Sequence, residues 1–429
     1  MEESKKIEGI TVVSPMWGDR NKTDRMVFSV IHQYLGKENP LHIELVLVDD
    51  YLEGRKGVSS PYDYYLSNEF KKFYDTEHIE IKLIKNKEHK YQGESREIGF
   101  LAGKYDWFLL VDCDDMLAPN ACDRYRHMID SYYAVDENGD RIEKEELACV
   151  YGYLYSFGEN GYENNIIGES IWVQSRCYNR KFILENDIHF PTGLSSRQGE
   201  DYPFIRKFDY ALIHDENWNG IRLPYKNNMD CQCTAYWFPN EDSLSRQDPH
   251  YGQHLSGWTM ASSNSIIDYY IDYNKKHNIE DQEDESMKHE ILNMNIYAFY
   301  NLLDFLKEVA STDYKPLKDD WYVLRDNVTS LRKKLKEWFW DEIIYSDIED
   351  TLYQVRHFSD VHFTESWIGT FYDYINNDVS QLNMSYDEMI EYCNTLKFDG
   401  VGHELHSPQV VAWAKRHKRE DDGDGISKN

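Results

Sequence analysis

The chain reads as an α/β protein built on a mixed, mainly parallel sheet flanked by helices, followed by an α-helical C-terminal domain. Three observations predict this. First, apolar runs at residues 10–15 (ITVVSP), 43–50 (IELVLVDD) and 107–111 (WFLLV) are too continuous for strands with one wet face and suit strands covered on both sides. Second, helical spacing separates them. Residues 27–34 carry it, as do residues 93–103 (GESREIGFLAG), which close on Gly103 before the run at 107. Strand, helix, strand is the start of a parallel sheet. Third, from about Gly257 the β-branched pattern gives way to helical periodicity at residues 291–309, 321–340, 386–396 and 408–419.

The remaining elements follow in order. Residues 51–74 are polar and rich in aromatics, and residues 79–84 (IEIKLI) alternate as a further strand. Residues 119–133 predict a helix, 135–146 a charged turn region, 148–155 and 171–174 strands, and 178–184 (YNRKFIL) a short helix. Glu200 and Asp201 precede an apolar and aromatic run at 202–208. An acidic stretch at 280–285 (EDQEDE) predicts a flexible connection. The expected domains are residues 1–256, a helical accessory domain at 257–420, and a disordered tail at 421–429.

Composition limits the function. The chain has 429 residues, 41% of them hydrophobic, enough for two cores, and a formal net charge of −30. That charge repels phosphate backbones and disfavours general nucleic-acid binding, while leaving room for a nucleotide-sized ligand held through a metal. Cysteines at 113, 122, 149, 177, 231, 233 and 393 are odd in number and scattered, which predicts reduced thiols and a cytoplasmic protein. The opening MEESKKIEG has no apolar core and no run of 18 apolar residues occurs, so neither secretion nor a membrane span is expected.

The chain's chemistry concentrates at residues 106–117, DWFLLVDCDDML, where a buried strand runs into Asp112, Asp114 and Asp115. Open α/β sheets place their ligands at the carboxyl ends of strands. Carboxylates packed this closely repel one another, and a divalent cation carrying a diphosphate relieves that repulsion.

The order of motifs SPMWGDR, LVLVDD, GESREIGFLAGKYDWFLLVDCDD, YNRKFIL with GEDYPF, then YWFPNEDSLSR, resembles the GT-A fold family 2 glycosyltransferases over roughly residues 8–255. The resemblance implies a catalytic domain at residues 1–256 that moves a sugar from a nucleotide diphosphate, a UDP-sugar first among the donors, with Mn²⁺ or Mg²⁺ as cofactor. By resemblance Asp114 contacts the metal, and Asp112 lies towards the ribose or the metal's water shell. Asp49 and Asp50 would meet the base, Asp50 foremost, with Ser14 and Pro15 lining the same pocket. The family often follows that acidic pair with Gly-Ser, where this chain has Tyr51 and Leu52, and this leaves the nucleotide open. Arg96 matches a basic position facing the nucleotide, where it would pair with Asp50 or a phosphate oxygen. Arg246 resembles a basic residue on a loop closing over the diphosphate. His250 and His254 follow it, and His250 is the candidate to complete the metal shell.

An inverting transfer needs one carboxylate to take the acceptor hydroxyl's proton. Asp201 in GEDYPF is the candidate base, with Glu200 orienting the acceptor or the base. A glycan, a polymer or another hydroxyl compound would be the acceptor. A modified DNA base, as in viral glycosyltransferases, is an alternative for which basic clusters at 332–336 and 415–419 would provide a track. A non-catalytic sugar-nucleotide scaffold is another, and a nucleotidyltransferase fits less well because SPMWGDRNK carries a single glycine. The amphipathic C-terminal helices allow self-association.

Overall fold

A computed structural model describes residues 6–17, 20, 23–50, 60–135, 141–157, 164–168, 173–192, 200–224, 233–238, 251–279, 285–311, 315–338, 343, 347–348, 371 and 373–395. The chain divides into two compact units, Met1–Gln247 and Asp248–Asn429.

In the first unit, β1 (Gly9–Met16), β2 (His42–Asp49) and β4 (Trp107–Leu110) are the parallel strands that the apolar runs predict, and β3 (Ile79–Lys85), parallel to β2, is the one that the alternation at 79–84 predicts. Two-residue β5 (Met116–Leu117) is followed by β6 (Glu146–Tyr151), β7 (Tyr153–Phe157), β8 (Asn164–Gly168), β9 (Arg176–Asn179), β10 (Trp218–Arg222) and β11 (Ala235–Trp237). The main sheet has seven strands in the order β10-β6-β9-β4-β1-β2-β3. It is mixed and mainly parallel, because β9 alone runs against both of its neighbours. The strands β5, β11, β7 and β8 form a second, smaller sheet.

Helices α1 (Asp24–Ile31), α2 (Tyr91–Leu101), α3 (Ala121–Tyr132), α4 (Arg180–Glu185) and α5 (Asp201–His214) flank the sheet. Side chains alternate across each strand. Ile10, Val12, Leu45, Leu47, Leu109 and Val111 join one core with Met26, Val27 and Val30 of α1 and Cys122, Tyr125 and Ile129 of α3. On the opposite face Phe108 stacks between Phe100 of α2 and Tyr178, at ring separations of 4.8 and 5.4 Å. Phe204 of α5 meets the edge of Tyr178 there, 5.7 Å away.

The run at 148–155, read as one strand, is two. It breaks at Gly152, where the chain leaves the main sheet for the small one. A Cβ at Gly152 would lie 2.2 Å from the Tyr125 hydroxyl and 2.4 Å from the Thr234 hydroxyl, so the crossing point admits no side chain. The strand expected at 171–174 lies later in the chain: Val173–Ser175 is a 3-10 turn and β9 takes the next four residues. The same shift confines α4 to residues after Asn179, whose side chain accepts the Lys181 N–H and caps the helix. Within 51–74, short 3-10 turns at Pro61–Leu66 and Phe70–Phe73 bury Tyr62, Tyr65 and Phe70.

The second unit is helical. Its long helices α6 (Tyr251–His277), α7 (Glu285–Ser311) and α8 (Lys318–Trp338) pack on one another, and α9 (Tyr386–Thr395) packs on α7. Buried amides bridge them: Asn295 donates to the Leu331 carbonyl at 3.1 Å and Asn264 to the Asn327 carbonyl at 2.9 Å. The helix expected at 408–419 lies outside the described residues. No helix among the described residues is long and apolar enough to cross a membrane.

Helix α2 sits close on the sheet because Gly99 has no side chain. A Cβ there would lie 2.2 Å from Val13 Cγ1 and 3.1 Å from Val48 Cγ2, both in packed strands. Gly99→Ala is therefore expected to lower the free energy of unfolding by about 1–3 kcal/mol through overpacking, measured by urea denaturation. A variant as stable as the parent would show that α2 rides looser than this packing.

Candidate functional site

The order β3-β2-β1-β4 reverses direction between β1 and β4, since β2 and β3 lie on one side of β1 and β4 on the other. Such a switch point opens a crevice outside the carboxyl ends of the strands. Ser14 and Pro15 end β1, Asp49 and Asp50 end β2, and Asp112 follows β4, so the parallel register brings these predicted residues to one edge.

At the β2 end, Asp50 is held on three sides. Its carboxylate accepts the Asn86 side-chain amide and the Lys90 backbone N–H, both at 2.8 Å, and pairs with His89 Nδ1 at 2.8 Å. The His89 ring lies between Trp17 and Tyr91, at 4.6 and 4.1 Å. Tyr91 adopts a left-handed φ of 62°, uncommon for so large a residue, at the start of α2. Asp49 accepts the Ser60 hydroxyl at 2.5 Å. The buried Ser14 hydroxyl has no hydrogen-bond partner among the described residues.

The centre of the site is Arg96, 1% exposed on α2. Its guanidinium donates to Asp112 Oδ1 at 2.5 Å, to Glu200 Oε1 at 2.9 Å, and to Asp201. The sequence led us to expect Arg96 beside Asp50 or a phosphate; its partners here are the acids after β4 and at the start of α5. Burial opposes its charge, yet the surrounding carboxylates, Asp112 foremost, hold its pKa above the ordinary value. Gln92, one turn before Arg96, donates to Asp112 Oδ1 at 2.8 Å. Gln174 donates to Asp112 Oδ2 at 2.5 Å and to Asp115 at 2.9 Å.

Glu200 reaches Arg96 because Gly93 leaves room. A Cβ at Gly93 would lie 3.0 Å from Glu200 Cγ and 3.2 Å from Phe190. Phe190 stacks on Phe204 at 4.1 Å, which fixes the first turn of α5. Burial and the Asp201 charge push Glu200 up to about 8, against the pull of Arg96. Burial pushes Asp201 up to about 6, again opposed by Arg96. Glu200 is nearly inaccessible, whereas Asp201 and Asp112 keep about a fifth of their side-chain surface open.

The D-x-D corner is crowded with negative charge. Burial, then the charges of Asp112 and Asp114, raise Asp115 well above the usual carboxylate range, although it accepts the Phe238 N–H at 3.1 Å. Burial and the same acids raise the Cys113 thiol, which keeps it protonated and a poor nucleophile. A hard divalent cation suits these oxygen donors and their surplus charge. Among the described residues, the only group of three or more His, Cys, Asp and Glu with ligand atoms within 4.8 Å of one another is Asp75, Glu77 and His78. That group, with Asp75 and Glu77 exposed and His78 half-buried, precedes β3, at the end of the strand away from the crevice. The oxygens of the D-x-D corner are hard donors of the kind a divalent cation takes, and both Asp112 oxygens also accept hydrogen bonds, from Gln92, Arg96 and Gln174.

Arg246 and His250 lie outside the described residues, and of His254 only the helical backbone is described. The six described cysteines are unpaired. Sequence reasoning missed Gln92, Gln174, Asn86 and His89. The polar run after β3 ends a strand just as the two acidic clusters do, and that position was the available signal for Asn86 and His89. Gln174 gave none, since it lay in a stretch read as strand.

No family model matches the chain. Over 96 residues it is 30% identical to GMP reductase of Helicobacter pylori strain J99 and 29% identical to that of strain G27, each match covering 22% of the chain. The chain spans about 30% of the length of these curated relatives. Among solved structures it is similar to S. aureus TarS 1-349 in complex with UDP-GlcNAc, at 12% identity and a TM-score of 0.45, covering 85% of this chain and 91% of that one. It is also similar to the mannosyltransferase PcManGT from Pyrobaculum calidifontis in complex with GDP-Man and Mn²⁺, at 10% identity and a TM-score of 0.39, covering 79% and 89%.

The raised Glu200 carboxyl has a signature in stability. The folded protein keeps a proton that the unfolded chain releases above its ordinary value of 4.5, so stability falls as pH rises from there to about 8. Glu200→Gln keeps the oxygen that accepts from Arg96 and removes the ionisation. Urea denaturation should show the variant gaining stability relative to the parent between pH 5 and pH 8. Parallel pH profiles would contradict a proton held at Glu200.

Proposed function

We propose that the chain is an inverting glycosyltransferase that moves a sugar from a nucleotide diphosphate, a UDP-sugar first among the candidates, to an acceptor hydroxyl. The observation that carries this reading is the convergence on Arg96 of Asp112, on the donor side, with Glu200 and Asp201 at the head of α5. One crevice then holds both a place for a diphosphate and a carboxylate able to take a proton.

The donor would lie across the β1 and β2 ends, its base towards Asp50, Ser14 and Pro15 and its diphosphate towards Asp112 and Asp114. When bound there, Mn²⁺ or Mg²⁺ on Asp112 and Asp114 would neutralise charge on the departing diphosphate. Asp201 accepts the proton of the acceptor hydroxyl as that oxygen bonds to the anomeric carbon and the bond to the diphosphate breaks. The elevated pKa suits this task, since a base titrating near 6 is ionised at neutral pH and still draws a proton usefully. Glu200, with its higher pKa, stays largely protonated and adds little negative charge against the incoming donor. Arg96 orients Asp201 and keeps it ionised. Arg246 and His250 remain candidates for the diphosphate and the metal, and the acceptor class is a glycan, a polymer or another hydroxyl compound.

Asp201→Asn should reduce transfer by roughly 10²–10⁴-fold while leaving calorimetric binding of the donor near the parent value. Asp114→Ala should instead weaken donor binding and remove its dependence on Mn²⁺. Equal loss of binding and transfer in Asp201→Asn would refute the base assignment, and unchanged metal-dependent binding in Asp114→Ala would refute the D-x-D role.

A further inference from the structure

Arg25, in the first turn of α1, is exposed, and its guanidinium donates a hydrogen bond to the backbone carbonyl of Asp114. The same guanidinium lies over the Phe238 ring at 3.8 Å. Phe238 in turn donates its backbone N–H to Asp115. Arg25 is thus held by one contact to the segment that carries the D-x-D acids and by another to Phe238, which is bonded to that segment.

Its helix is equally fixed. Ser29 accepts the Leu117 N–H at 3.0 Å, and Gln33 donates to the Ala118 carbonyl at 2.6 Å. These bonds tie α1 along the chain that leaves the D-x-D corner, so the backbone that carries Arg25 is held beside it. The cation–π contact holds a guanidinium face while leaving its edge donors to other partners.

The charge around it gives this placement a use. Arg96, a second guanidinium near this edge, is buried and has both terminal nitrogens bonded to carboxylates. A diphosphate entering the crevice would add negative charge beside Asp112, Asp114 and Asp115, and Arg96 is 1% exposed, with three of its five N–H donors already on carboxylates. Arg25 has five N–H donors and remains open to solvent. We propose that Arg25 binds the diphosphate of the donor, a role that rests on the donor reading above. It meets phosphate oxygens with its edge donors while Phe238 and the Asp114 carbonyl hold it in place. The ligand class follows: a nucleoside diphosphate is preferred over the corresponding monophosphate because the second phosphate reaches Arg25.

Calorimetric titration of the full chain with UDP, GDP and their monophosphates in Mn²⁺ tests this. Arg25→Ala, with Arg25→Gln as a second variant of near-native length, should weaken the diphosphate by roughly ten- to a hundredfold, as for loss of a charged hydrogen bond. The monophosphate should change much less, and Arg25→Lys should restore part of the difference as a point charge without the fork. Equal weakening of both ligands, or no weakening, would overturn the assignment in a parent protein that binds diphosphate. Absence of diphosphate binding by the parent itself would overturn the donor reading and this inference with it.

Discussion

Three carboxylates from two distant parts of the chain share the Arg96 guanidinium, and the geometry of the crevice depends on that contact. Asp112 follows the central strand, while Glu200 and Asp201 begin a helix some ninety residues later. One positive charge cannot balance three negative ones. Burial first, and the neighbouring acids after it, raise the pKa values of Glu200 and Asp201, and Arg96 pulls both down. A buried arrangement of this kind is weak evidence for stability, since its desolvation cost rivals the attraction within it. Its value lies in fixing where acids sit and which of them keep a proton.

The scaffold makes that placement through close approach. Parallel strands align the ends of β1, β2 and β4 at one edge, and the reversal of strand order between β1 and β4 leaves the edge open. Gly99 lets α2 settle onto Val13 and Val48, and Gly93 on the same helix lets Glu200 come up against it. The helix carrying Arg96 is thereby seated between sheet and α5. The left-handed Tyr91 lies where α2 begins, between the His89–Asp50 pair and the Gln92–Asp112 bond. It joins the two halves of the crevice within residues 89–92.

Much of this architecture was legible in the sequence because parallel strands buried on both faces leave continuous apolar runs. The runs ending at Asp50 and Asp112 announced both the sheet and the edge where polar residues collect. The break at Gly152 was not legible, because one apolar segment serves two sheets and only Tyr125 and Thr234, remote in sequence, show why glycine stands there. The strand at 176–179 was displaced for a related reason: antiparallel pairing to β4 and β6 fixes its register, and no local pattern reports it. At the site, residue types at strand ends were readable. Pairing was not, since Arg96 had several acids within plausible reach and the choice among them is made by the packing of α2 and α5. Gln174 carried no signal for the same reason: its importance comes from meeting Asp112 and Asp115 in space.

The central claim, a single displacement assisted by one carboxylate, is tested most directly by the configuration of the sugar released. Time-resolved proton NMR of the full chain with α-linked nucleotide-diphosphate sugars and Mn²⁺, with water taking the acceptor's place, reads the first anomer formed before mutarotation. The account predicts the β anomer from the donor that turns over. Release of the α anomer, or no turnover of any donor, would contradict it.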